Sequence, residues 1–323
     1  MKAIIQETYG PPDVLELREI EPPEVGEADV LVRVHAAGAG PDVWHIMTGK
    51  PYMARPVLGL RKPKIRVRGW DVAGTVEAVG AGVTGFRPGD EVMGTAEAGS
   101  FAEFTIAEPD KLVRKPTNLS FEQAAAVPVS GVSALQAVRK ANVQAGQTVL
   151  VVGAAGGVGT MAVQIAKAFG AEVSGVASTS KLDLVRSIGA DDVVDYTRED
   201  FTDGSRTWDV IVDTAGRRPL RELRRALTPK GTLVVVGGDG GGRWTGGFFR
   251  GMLRGPLLSM FVGQRLGGLN SKMNAEDLRA VTGMIEAGEV TPVVGQTYQL
   301  TETRNAIREL ATGHARGKLV IAV

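Results

Sequence analysis

The sequence predicts an α/β chain in two parts: a β-rich N-terminal region forming a partly open barrel, and a doubly wound parallel sheet. Three observations carry this reading. Short apolar segments broken by Pro and Gly turns fill residues 1–113. Beyond Thr148, strand patterns alternate with helix patterns. At that junction a strand, a glycine-rich turn, a helix and a second strand follow in the order of a βαβ crossover.

Composition narrows the class. A chain of 323 residues is long enough for two domains with cores of their own. Its 43% hydrophobic and 23% charged content is that of a soluble globular protein. Net charge is only +1, so no global field recruits nucleic acid or an anionic membrane. There are no cysteines, which excludes disulfides, thiolate metal ligands and a cysteine nucleophile and fits a reducing, cytoplasmic setting. The opening MKAIIQETYG enters a strand pattern and lacks the apolar core of a signal peptide. No apolar run reaches the ~18 residues of a spanning helix.

In chain order, strands are predicted at residues 2–5, 14–19, 30–37, 71–79 and 91–93, with turns at 10–12, 21–23 and 87–90. Ser120 followed by FEQAAAV reads as an N-capped helix, with Gln123 completing a capping box. Residues 131–141 read as another helix, so the domain boundary falls near 115–125. The β-branched run 148–152 is a buried strand. After the turn 153–159, apolar Met161, Val163, Ile165, Ala166 and Phe169 mark a helix that Gly170 stops, and 172–177 supplies the next strand. The alternation continues with a helix at 181–188, strands at 192–195 and 208–213, a helix at 219–227 and a strand at 232–237. A glycine-rich stretch with bulky apolar residues follows, including Phe248, Phe249, Leu257 and Phe261. It reads as a lid or a subunit contact, because its glycines and Pro256 break any long helix. A helix at 274–287 and strands at 298–300 and 318–323 close the chain.

The turn Gly153-Ala-Ala-Gly-Gly-Val-Gly159 carries the pattern A-x-G-x-x-G from Ala154. Gly156 and Gly157 allow a tight turn and close approach of a diphosphate, and Gly159 lets helix and strand pack. The helix N-terminus adds free N–H groups and a positive dipole end. In that order of elements the pattern points to a dinucleotide. An NAD site usually places Asp or Glu at the end of the second strand. Here Ser178, Thr179, Ser180 and Lys181 stand there, which suits the 2′-phosphate of NADP(H). A carboxylate about 4 Å from that phosphate would repel it by about 4 kcal/mol near a protein surface.

These blocks, with AAGAGPDVWHIMTGKPY, DVAGTVEAVGAGVTGFRPGDEV, GSFAEF, GADDVVDY and GHARGKLVI, resemble the zinc-independent quinone oxidoreductase branch of the medium-chain dehydrogenase/reductase superfamily. The resemblance implies a GroES-like catalytic domain at 1–122 and 266–323, a Rossmann NADP(H)-binding domain at 123–265, an active-site cleft between them and a homodimer through the nucleotide-binding domains. It places Gly156, Gly157 and Val158 on the pyrophosphate, Ser178, Thr179 and Lys181 on the 2′-phosphate, and Tyr196 beside the adenosine. Gly237, Phe261 and Val262 would flank the nicotinamide half, as would Val129 and Ser130.

Zinc-dependent relatives carry a Cys and a Gly-His-Glu where this chain has Ala39-Gly-Pro41 and Gly69-Trp-Asp71, and no structural zinc lobe intervenes between Gly94 and Phe101. A zinc-type alcohol oxidation is therefore not expected. The zinc-free branch usually has Asn before the Pro of its active-site loop; here it is Gly40. Expected chemistry is hydride transfer from NADPH to a quinone or α,β-unsaturated carbonyl, with Tyr52 donating to the acceptor oxygen and Trp44 and His45 as possible neighbours. Two other readings stay open: reduction of simple ketones or aldehydes, and a non-catalytic NADP(H)-binding redox sensor. The cluster Arg217, Arg218, Arg221, Arg224 and Arg225 reads as a solvated helix face, not a nucleic-acid site.

Overall fold

A computed structural model describes residues 1–96, 98–237, 244 and 254–323. The chain divides into two compact units, one of Met1–Val132, Met273–Glu286 and Pro292–Val323, the other of Ser133–Lys272 with Ala287–Thr291. The first is the GroES-like part and the second the parallel-sheet part.

The first unit begins with the hairpin β1 (Lys2–Gln6) and β2 (Leu15–Glu19). There follow β3 (Val30–Ala39), β4 (Asp71–Val79), β5 (Glu91–Thr95), β6 (Phe104–Ala107) and β7 (Leu112–Arg114). β3 is central, pairing antiparallel with both β4 and β6. Its first half alternates, with Val30, Val32 and Val34 buried and Arg33 exposed and paired to Glu77 at 2.9 Å. From Ala36 onward it is buried on both faces, and small residues fill it. Ser120 and Gln123 form the predicted capping box.

The second unit holds β8 (Thr148–Val152), β9 (Glu172–Ala177), β10 (Asp192–Asp195), β11 (Trp208–Asp213), β12 (Leu227–Val235) and β13 (Arg265–Gly268). All are parallel, in the order β10-β9-β8-β11-β12-β13, the arrangement of a Rossmann sheet with its switch between β8 and β11. Leu150, Ile211, Leu223 and Leu233 lie in its core. The division between units falls inside the helix Pro128–Ala141, later than residue 122. Because β13 pairs with β12, residues 266–268 belong to this sheet, and the return to the first unit starts after Lys272 instead of at 266. Phe248 and Phe249 lie outside the described residues.

Back in the first unit, the helix Ala275–Glu286 is followed by β14 (Val294–Gln299) and β15 (Lys318–Ala322). These pair in parallel, and β15 runs antiparallel to β3, completing the order β14-β15-β3-β4-β5-β7. Val32, Val72, Phe101, Ile307 and Ile321 share one core.

Candidate functional site

In the second unit the glycine turn is built by exclusion. Gly153 has φ +80°, and a Cβ on it would meet Thr214 Oγ1 at 2.7 Å. A Cβ on Gly159 would lie 2.0 Å from the Gly153 carbonyl, so helix and turn touch only because position 159 lacks one. Gly156 differs: the nearest atom to its Cβ would be Gly153 O at 3.5 Å, which leaves the outer side of the turn open. The helix Gly157–Ala168 starts on Gly156 with no side-chain cap for its first N–H groups. An open backbone cradle at an uncapped helix N-terminus fits the diphosphate of a dinucleotide.

The ends of β9 and β10 bring Ser178, Thr179, Lys181 and Tyr196 together, since Asp195 is in register with Ala177. Ser178 is half-buried, and its carbonyl accepts the Lys181 N–H at 2.9 Å. Tyr196 is exposed, its N–H bonded to Ala177 O. Thr179 is engaged elsewhere, donating to Asp195 Oδ2 at 2.5 Å, while Thr197 donates to Oδ1 at 2.7 Å. These two hydroxyls hold the Asp195 carboxyl below the usual carboxylate range. Ser178 and Lys181 stand at the same strand end, flanking the turn that Thr179 begins.

At the switch point β11 ends on Asp213, which is buried; Oδ1 accepts the Ala215 and Gly216 N–H groups at 3.1 and 2.9 Å. Burial pushes this carboxyl up to about 6, against those two donors. A Cβ on Gly237 would fall 1.9 Å from Thr214 O, which is why the chain leaving β12 needs glycine. Phe261 is exposed in the turn after the helical residues 254–259, and Val262 packs on the core. Arg218 meets Asp200 and Glu222, Arg224 meets Gln264, and Arg225 donates to Thr202 O, so this part of the basic cluster is tied into its own unit.

In the first unit, Val129 donates its N–H to Asp71 Oδ1 at 2.7 Å, and Ser130 beside it is buried. The other Asp71 oxygen lies 2.6 Å from Lys318 Nζ. Neither Asp71 nor Lys318 was singled out as functional from the sequence; the available signal was a charge at the head of each of two apolar strand patterns, DVAGTV and KLVIAV. A Cβ at Gly40 would meet the side-chain ends of Asp42 at 2.4 Å (Oδ1) and Lys318 at 3.0 Å (Nζ).

Tyr52 opens a short 3₁₀ turn and is half-buried, with the Arg55 guanidinium 4.6 Å from its ring centroid. Arg55 sits equally close to the Tyr9 ring. Trp44 packs on the barrel core, and His45 Nδ1 lies 3.2 Å from Lys50 O. His35 stacks on Phe121 and contacts Thr75 Oγ1 at 3.0 Å; burial first, then Arg33, lowers its pKa. Among the described residues no group of three His, Cys, Asp or Glu is placed to hold a metal ion. Among them, too, no helix is long and apolar enough to cross a membrane.

Comparison with known proteins agrees with both units. Residues 26–117 match the alcohol dehydrogenase GroES-like domain, and residues 188–321 match the zinc-binding dehydrogenase family. The chain is 34% identical to the NADPH-dependent alkenal/one oxidoreductase of Arabidopsis thaliana chloroplasts, over 99% of this chain and 79% of that protein. It is 33% identical to a quinone oxidoreductase of Pseudomonas aeruginosa, over 97% of each. The solved structure of the quinone oxidoreductase from Coxiella burnetii superposes with a TM-score of 0.86 at 31% identity, covering 100% of this chain and 99% of that one. The chain belongs to the quinone oxidoreductase branch of the medium-chain dehydrogenase/reductase superfamily, whose members are pyridine-nucleotide-dependent oxidoreductases.

Proposed function

We propose that this protein reduces a quinone or an α,β-unsaturated carbonyl at the expense of NADPH. The observation that carries the reading is the open glycine cradle at an uncapped helix N-terminus, followed at the end of β9 by Ser178 and Lys181 where a carboxylate would select NAD. The names of the Arabidopsis and Pseudomonas relatives support the same cofactor and acceptors.

Gly156, Gly157 and Val158 would hold the diphosphate through backbone N–H groups. Ser178 and Lys181 would hold the 2′-phosphate, with Thr179 shaping the turn through Asp195 and Tyr196 lying against the adenosine. Gly237, Phe261, Val262, Val129 and Ser130 are assigned to the nicotinamide half. When bound, the reduced nicotinamide supplies a hydride. In a conjugated acceptor the resulting negative charge gathers on a remote oxygen, which needs one donor and little further acid–base help. Tyr52 is assigned that donor role, its ring steadied by Arg55. The chemistry asks for no metal, since the positions of zinc ligands in the zinc-dependent relatives carry Ala39-Gly-Pro41 and Gly69-Trp-Asp71. The same reading expects a cytoplasmic homodimer.

The test is NADPH consumption against a quinone, an enal and a simple ketone, with wild type and Tyr52→Phe. Turnover with the first two and a loss of about tenfold or less in the variant agree with the reading. Turnover confined to the ketone, with a loss beyond about a hundredfold, would replace it by carbonyl reduction.

A further inference from the structure

Charge is spread unevenly along the first unit. Between Asp42 and Asp71 the sequence holds seven Lys or Arg and no carboxylate, in a chain whose net charge is only +1. Part of that stretch also leaves large apolar side chains in water: Val57 is 75% exposed, Leu60 70%, Met53 52% and Ile65 39%. Arg61, Lys62, Lys64 and Arg66 are exposed among them. Arg66 is paired to Glu7, whereas among the described residues no ion pair engages the side chains of Arg61, Lys62 or Lys64. Single aliphatic side chains are ordinary at a surface, but four in one short segment, interleaved with cations, mark an interaction site.

The fold gathers these side chains on one closed loop. Met53 and Val57 are four residues apart on the helical stretch formed by the 3₁₀ turn Tyr52–Ala54 and the helix Arg55–Leu58, which puts them on one side. The chain then doubles back: the Lys64 N–H donates to Leu58 O at 2.9 Å, and Tyr9 Oη donates to Gly59 O at 2.6 Å. Gly59 has φ +122°, and a Cβ on it would lie 2.0 Å from Lys62 O, so the base of the loop closes only because glycine stands there. Leu60, Arg61 and Lys62 form the exposed tip. Val57 and Ile65, one on each arm, line the same pocket and so share a face.

We propose that this loop docks the chain on an anionic phospholipid bilayer, Met53, Val57 and Leu60 entering the headgroup region and Arg61, Lys62 and Lys64 meeting lipid phosphates. Interleaved aliphatic and basic side chains suit that boundary, where the first gain by leaving water and the second by a negative surface potential. A second copy of the chain is a poorer occupant, because the same patch on both sides brings like charges together. Nucleic acid is poorer too: its bases stack on aromatic rings, whereas the exposed apolar groups here are aliphatic. The surface belongs to the first unit alone. Docking is measured without cofactor or acceptor and stands apart from the proposed reduction.

The test is flotation of the full chain with unilamellar vesicles, one set of phosphatidylcholine alone and one containing about one third phosphatidylglycerol. The chain should float with the anionic vesicles and bind phosphatidylcholine about tenfold or more weaker, and salt raised from ~0.1 to ~0.5 M should weaken the anionic binding. Arg61→Gln with Lys62→Gln and Lys64→Gln should cut that binding by about tenfold or more, since each cation near such a surface is worth about fivefold. Val57→Ser with Leu60→Ser should also cut it by about tenfold or more, at unchanged charge. Both variants change exposed positions, so melting temperatures should stay within about two degrees of wild type. No flotation with anionic vesicles, equal binding to both vesicle types, or full binding by the Val57→Ser, Leu60→Ser protein would overturn the proposal. Tighter binding to a DNA duplex than to the anionic vesicles would replace it by a nucleic-acid surface. Self-association lost in the apolar variant, without flotation of wild type, would replace it by a contact between copies of the chain.

Discussion

Lys318 Nζ lies 2.6 Å from Asp71 Oδ2, with both side chains almost fully buried, and the contact joins the start of β15 to the start of β4. Burial raises the Asp71 carboxyl, while the Asp71 and Asp42 charges raise the Lys318 ammonium against its own burial. Removing one partner strands the other charge. Lys318→Met should destabilise the chain by about 3–5 kcal/mol, and Lys318→Met with Asp71→Asn should recover part of that loss. Urea denaturation of the three proteins measures it. A double variant no more stable than the single one would show that the cost lies in packing and not in charge.

Gly156 and Gly159 are three residues apart and should fail in different ways. Gly159→Ala forces a Cβ onto the Gly153 carbonyl, so its melting temperature should fall along with cofactor affinity. Gly156→Ala meets no atom nearer than 3.5 Å, so the fold should hold while NADPH binds about tenfold or more weaker. Thermal unfolding and fluorescence titration, taken together, separate the two. Unchanged NADPH affinity in Gly156→Ala would remove the cradle from the cofactor site.

Asp213 makes the fold pH-sensitive in a defined direction. Its carboxyl titrates at about 6 in the folded chain against an ordinary 3.8, so the folded state binds the proton more tightly. Stability should therefore fall as pH rises from about 4 to 6 and stay lowered above that. The difference is worth about 3 kcal/mol, at ~1.4 kcal/mol per pH unit. Asp213→Asn keeps an oxygen for the Ala215 and Gly216 N–H groups but carries no charge. It should flatten that part of the profile and be the more stable protein at pH 7. A variant with the wild-type profile would assign the pH dependence to other groups.

Cofactor choice is predicted to sit at the end of β9. Ser178→Asp with Lys181→Ala adds a repulsion and deletes a cation, so NADPH affinity should drop by about tenfold or more while NADH changes by about twofold or less. Titration of both nucleotides decides it. Equal losses would mean that these residues shape the turn and do not read the phosphate.

Where an apolar run was continuous, the sequence was legible: β4, β8, β9 and β11 lie where their apolar runs begin and end. The capping box at Ser120 is equally local. What escaped was non-local or brief. The helix Pro41–Thr48 starts on a Pro and holds a mixed face, and β6, β7 and β13 are too short to show a period. β14 spans Val294–Gln299 instead of 298–300, because its exposed polar residues owe their strand form to pairing with β15. In the glycine turn, a Cβ is excluded at Gly159, where Gly153 O would lie 2.0 Å away, and not at Gly156, where the nearest atom would be 3.5 Å away. Thr179, read as a phosphate contact, has its hydroxyl on Asp195, a partner 16 residues away that spacing could not reveal. Likewise, only folding brings Lys318 to Asp71.

The most direct test of the account follows the transferred hydrogen. NADPH deuterated at C4 is turned over with an α,β-unsaturated ketone, and the product is examined by mass spectrometry and NMR. The account predicts one deuterium on the β-carbon of a saturated ketone, with one NADPH consumed per product. Deuterium on the carbinol carbon of an allylic alcohol, or no NADPH consumption with any conjugated acceptor, would contradict it.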